Sequence, residues 1–105
     1  MSLANRERRV GLALPLEVKG TDTHGATFSD STMTLNVSGG GLLFKTERNL
    51  LIGSTLTLSI QVPPALRRYF KDRAVYSAQG VVCRVERFEG AATSSVGVRF
   101  LAEAP

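Results

Sequence analysis

Two groups of residues in this chain have types and spacings that could do chemistry. Arg6, Arg8 and Arg9 stand within four positions, ahead of the first long apolar stretch. Guanidinium groups grip phosphate through a bidentate fork and stack on flat rings. Further on, residues 36–41 read Asn-Val-Ser-Gly-Gly-Gly. Asn36 and Ser38 offer short, neutral hydrogen-bonding groups, and the glycines let other groups approach the main chain closely. Each group alone has a plain structural explanation: charged termini are commonly solvated, and Asn and Ser commonly satisfy the backbone of their own turn. Brought together, they suit a small ligand carrying guanine bases and phosphates, because arginine pairs with guanine O6 and N7 as readily as with phosphate oxygens.

Other chemistries find little support. His24 is the sole histidine and sits in a glycine-flanked turn, and with a single cysteine there is no conventional metal-binding cluster. Cys83 lies in an alternating apolar run and reads as a packed thiol, which fits a reducing compartment. Asp22 and Asp30 fall near turns without an evident partner. These features predict a non-enzyme with no metal and no cofactor. Thirteen basic against nine acidic residues give a net charge of +4, which favours an anionic partner. Arg67, Arg68, Lys71 and Arg73 accompany Leu66, Tyr69 and Phe70. Basic and aromatic residues of this kind can stack single-stranded bases, but no face alternates the two types. The segment reads as a solvated basic face, with partner docking as the lesser reading. No apolar run approaches the roughly 20 residues of a membrane span, and none suits a signal peptide, so a cytoplasmic protein is expected.

The elements that must position these residues are strands. The 105 residues suit one domain, 4–103, with Met1, Ser2 and Leu3 left out of the reading as a candidate expression remnant. Val10, Leu12, Leu14, Leu16 and Val18 alternate without a miss, so a first strand over 10–19 should bury that face, with Pro15 on the other. A second strand over 27–35 is expected to place Met33 and Leu35 on one face with Val37. The 36–41 corner leads to a third strand over 42–45. Leu56, Leu58, Ile60 and Val62 mark a fourth, ended by Pro63 and Pro64. Residues 65–73 break the pattern and read as a single helical turn or a long basic loop. A fifth strand over 74–87 should turn Val81, Cys83 and Val85 away from Val82, Arg84 and Glu86. Val96, Val98 and Phe100 alternate in the sixth. Six short strands punctuated by turns indicate an all-β barrel or sandwich.

With these residues in view, the chain resembles a PilZ domain, a family of bacterial receptors for cyclic di-GMP. The family carries an (Asp/Asn)-x-Ser-x-x-Gly motif between its second and third strands, which Asn36, Ser38 and Gly41 match at the expected place. It also carries an Arg-x-x-x-Arg arm just before its first strand. Arg9 aligns with the second arginine of that arm, whereas Asn5 stands four residues earlier and Arg6 is the nearest guanidinium to it. The Gly97-Val98-Arg99-Phe100 ending adds to the match, which covers roughly residues 5–101. The resemblance implies a six-stranded antiparallel β-barrel, with at most one short helix, acting as a non-catalytic sensor or adaptor. It implies cyclic di-GMP as ligand, held by Arg6, Arg8, Arg9, Asn36 and Ser38, with Gly41 keeping the corner open, and a downstream protein partner. The alternatives are a PilZ domain that binds no nucleotide and works through protein contacts, and a barrel that binds single-stranded nucleic acid.

Overall fold

The computed structural model describes residues 11–103; Arg6, Arg8, Arg9 and Val10 lie outside them. Six strands follow one another: β1 (Pro15–Thr21), β2 (Thr27–Val37), β3 (Gly41–Thr46), β4 (Thr55–Gln61), β5 (Val75–Glu86) and β6 (Ser94–Glu103). A short 3₁₀ helix, Pro64–Tyr69, joins β4 to β5. Every pairing is antiparallel, and the order β1-β2-β3-β6-β5-β4 closes into a barrel when β4 returns to β1 through Leu16↔Ile60 and Val18↔Leu58. The predicted closed six-stranded barrel is therefore the observed fold. Alternation drives it: Leu16 and Val18, then Leu56, Leu58 and Ile60, then Val96 and Val98 all point inward and are buried. Burying each such side chain contributes about 1.5–3 kcal/mol.

Three departures from simple alternation shape the surface. First, β1 begins at Pro15 rather than at residue 10. The exposed proline takes the first strand position, where its missing N–H breaks no ladder. Ahead of it the chain is held by Thr34, which is fully buried. The Leu14 amide donates to Thr34 Oγ1 (2.9 Å), the Thr34 amide donates to the Leu14 carbonyl (2.9 Å), and the Thr34 hydroxyl donates to the Leu12 carbonyl.

Second, Met33 and Leu35 do not share a face with Val37. Met33 is 47% exposed and Leu35 41%, whereas Val37 is fully buried. The cause is a β-bulge: the register runs Thr34↔Phe44, then Asn36↔Leu43 and Val37↔Leu42, so Leu35 is an extra residue on β2. One inserted residue reverses which side of the strand every later side chain takes.

Third, Cys83 is exposed, not packed. A second bulge lies between Val82, opposite Val98, and Arg84, opposite Gly97. It leaves Cys83 outside, its thiol 3.4 Å from the Gly97 carbonyl oxygen. It also puts Val85, opposite Val96, on the core side with Val82 instead of on the face of Cys83.

Of the two readings for residues 65–73, the helical turn is the observed one, as the 3₁₀ helix Pro64–Tyr69 followed by a tight turn, and its large apolar side chains are not solvated. Phe70 is buried, and Leu66 and Tyr69 pack against the core. Asp22 and Asp30 also have partners where none was expected. Asp22 accepts the amides of His24 (2.9 Å) and Ala26 (3.1 Å), and the Ala26 contact foremost holds its carboxyl below the ordinary range. Asp30 receives Arg48 Nε and Nη2, both at 2.8 Å, while the Arg48 guanidinium lies 4.8 Å over the Phe28 ring.

Candidate functional site

The 36–41 corner joins β2 to β3 and is built tightly. The Ser38 amide donates to the Gly41 carbonyl at 2.8 Å, and the Phe100 amide of β6 donates to the Gly40 carbonyl at 2.8 Å. Ser38 is buried, and its Oγ accepts the Gly40 amide (3.2 Å) and lies 3.4 Å from the Gly41 carbonyl oxygen. Its hydroxyl is thus engaged by the backbone of its own corner. Gly41 is required by close approach: a Cβ there would stand 2.0 Å from the Val98 carbonyl oxygen. Without a side chain at that position β3 can lie directly against β6.

Asn36 differs from Ser38. Because the Leu35 bulge turns Val37 inward, Asn36 is directed to the outer surface, opposite Leu43. There it lines a groove of about 230 Å³ on the outside of the barrel, together with Leu43, Cys83, Arg84, Phe88 and Gly97. Gly97 forms a low point of this surface. A Cβ on it would meet Arg84 Cβ at 3.3 Å, Cys83 Sγ at 3.8 Å and Leu43 Cδ1 at 4.0 Å. Phe88 is 72% exposed at the rim and offers a free-standing ring. Arg84 brings positive charge, paired with Glu86 on the same strand. The groove therefore offers apolar surface, the Asn36 amide, the Ser95 hydroxyl and the Arg84 guanidinium with its Glu86 carboxylate partner, a set that can receive a planar polar ring.

Ser38 and Gly39 border a different groove, of about 160 Å³, with Tyr69, Phe70, Lys71, Tyr76 and Phe100. The corner thus separates two concavities, with Asn36 on one and Ser38 on the other. The sequence pattern named neither Arg84 nor Phe88 nor Lys71 as site residues. A glycine at an outward position between two inward valines, Gly97 between Val96 and Val98, was the one available signal for the first groove. Arg6, Arg8 and Arg9 lie outside the described residues, but the chain leading into β1 is placed. Pro15 pairs with Met33 and Leu14 bonds to Thr34, so Leu12 lies toward the end of β2 that carries Asn36. A larger cleft, about 610 Å³, opens between the far ends of β2 and β3 and is lined by Ser29, Asp30, Ser31, Lys45 and Arg48 among others. Among the described residues, no group of three or more His, Cys, Asp or Glu is placed to hold a metal, and no helix is long and apolar enough to cross a membrane.

A corner carrying Asn-x-Ser-x-x-Gly between the second and third strands of a closed six-stranded barrel defines a class of domain. The chain belongs to the PilZ domain family, whose model matches residues 4–104. Among solved structures the barrel is similar to that of the Bacillus subtilis inhibitor of motility, MotI/DgrA. The TM-score is 0.68 at 16% identity, covering 91% of this chain and 42% of that one. The chain therefore spans less than half the length of that protein, and the likeness is one of fold. No curated protein matches the chain in sequence.

Proposed function

We propose that this PilZ domain is a non-catalytic cytoplasmic receptor for cyclic di-GMP that passes the binding event to a protein partner. One observation carries the reading: the Leu35 bulge directs Asn36 of the family motif into a groove that also holds Gly97, Arg84 and the Phe88 ring. A guanine ring laid over Gly97 would meet the apolar side of Leu43, with its polar edge toward Asn36. Arg9, with Arg6 or Arg8, would supply the cations that two phosphates require, since charge-assisted pairs are the strong hydrogen bonds of such sites. The path of the chain at Leu12, beside the corner end of β2, favours that assignment. Ser38 and Gly41 set the shape of the corner. Ordering an arginine arm costs conformational entropy, which the ligand contacts must exceed. The ligand-bound surface then differs from the empty one, and a partner that prefers one of them is recruited or released by a shift of populations.

Isothermal titration calorimetry of the whole chain with cyclic di-GMP tests the reading. Asn36→Ala and Arg9→Ala are each expected to weaken binding about tenfold or more, and Gly97→Leu to block it by filling the groove. An absence of heat at high micromolar ligand rejects the receptor reading in favour of a PilZ domain that works through protein contacts alone.

A further inference from the structure

The segment after β4 places a strained lysine beside the corner. Lys71 and Asp72 have φ values of 56° and 58°. Residues other than glycine enter this left-handed region only at an energetic cost, and such strain gathers at ligand clamps. Here two in succession are held by a closely bonded turn. The Phe70 and Asp72 amides both donate to the Arg67 carbonyl, at 2.9 and 2.7 Å, and the Arg73 amide donates to the Phe70 carbonyl at 3.2 Å. Arg67 Nε donates to the Val62 carbonyl at 3.1 Å. The Phe70 ring anchors the turn in the barrel, edge-on to Tyr76 at 5.5 Å, which in turn meets Phe100 at 5.9 Å. The outcome is an exposed Lys71 on the groove it shares with Ser38 and Gly39, the half of the corner that Asn36 does not serve. Four cations, Arg67, Arg68, Lys71 and Arg73, surround a single acid, Asp72, in this segment.

We infer that Lys71 binds a phosphate on the Ser38–Gly39 side of the corner, so that the ligand site straddles the corner and uses both grooves. The use of this phosphate site by cyclic di-GMP rests on the receptor reading above. A lysine suits the task because its ammonium is a point charge whose three N–H groups can donate to phosphate oxygens from several directions. Arg68 has a different engagement: its Nη2 donates to the Tyr69 hydroxyl at 3.1 Å and its guanidinium lies 5.0 Å from that ring.

Calorimetry with cyclic di-GMP on wild type, Lys71→Gln, Lys71→Gly, Arg68→Ala and Asn36→Ala tests the inference. Lys71→Gln is expected to bind about tenfold more weakly, and Arg68→Ala to change affinity less than about twofold. Lys71→Gly removes the same charge while relaxing the backbone, so it should bind as weakly as Lys71→Gln yet melt no lower than wild type. Wild-type affinity in either Lys71 variant, with Asn36→Ala still defective, overturns the inference and leaves the receptor reading standing. If wild type itself gives no heat, the receptor reading falls, and inorganic pyrophosphate decides the Lys71 site alone. Amide shifts at Gly39 and Lys71 that vanish in Lys71→Gln retain it as an anion site, and a lack of such shifts overturns it.

Discussion

In the motif Ser38 looks like a recognition residue and Gly41 like a spacer, yet the surroundings give both structural work. A methyl group at Gly41 would collide with the Val98 carbonyl oxygen at 2.0 Å, and that oxygen belongs to the backbone of a paired strand. A flexible side chain could step aside, but here β3 and β6 must part. Gly41→Ala is therefore expected to cost about 2 kcal/mol or more, read as a lowered urea midpoint at unchanged slope. Ser38 satisfies the Gly40 amide from a buried position, so in the proposed mode it acts through the shape it gives the corner. Asn36 sits on the outer surface with partial exposure and bears on the ligand directly in the proposed mode. The motif's three defining residues thus divide into two that build a turn and one that faces a groove.

At the scale of elements, the bulges at Leu35 and Cys83 decide which side chains the grooves receive. Uninterrupted alternation on β2 would put Asn36 inside the barrel and Val37 outside; Leu35, as an extra residue, reverses both. Val37→Ala should therefore cost about 2 kcal/mol, whereas Met33→Thr and Leu35→Thr should each stay within about 0.5 kcal/mol, compared by urea denaturation. Equal costs at Leu35 and Val37 would contradict the bulge. This is also where legibility ended. Strand periodicity in β4, with Leu56, Leu58 and Ile60, identified the barrel because nothing interrupted it. The corner was legible because Asn, Ser and Gly have few other reasons to cluster. A bulge leaves no such mark: Met33, Leu35 and Val37 keep an apolar alternation while the backbone shifts beneath them. The same holds for Val81, Cys83 and Val85. Lys71 was missed for another reason: its place beside Ser38 depends on Phe70 anchoring the turn in the barrel, far along the chain from the corner.

For the whole molecule, closure is continuous but uneven. The β2–β3 ladder has three registered pairs, Thr34↔Phe44, Asn36↔Leu43 and Val37↔Leu42, all at the corner end. Beyond them the strands diverge around the 610 Å³ cleft, and the Asp30–Arg48 pair spans the gap. The Arg48 hydrogen bonds foremost hold the Asp30 carboxyl below its ordinary range, and the same pairing raises Arg48. The sign of the linkage follows. The folded barrel binds this proton less readily than the unfolded chain, so the stabilisation is present above the unfolded value of about 4 and fades as pH falls through the lower folded value. Both side chains are about a third exposed, at 34% and 38%, so water screens much of the attraction. Asp30→Asn should melt up to about 5 °C below wild type at pH 7, and the difference should shrink as the pH falls below the unfolded value. Melting curves of the two proteins across that range test whether the clasp is ionic. A gap that persists unchanged in acid would assign it to packing around Phe28 instead. Because β2 and β3 carry Asn36 and Gly41 at the other end of the same ladder, loosening this end should not by itself abolish ligand binding at neutral pH. A full loss of cyclic di-GMP affinity in Asp30→Asn would move the site from the corner to the cleft.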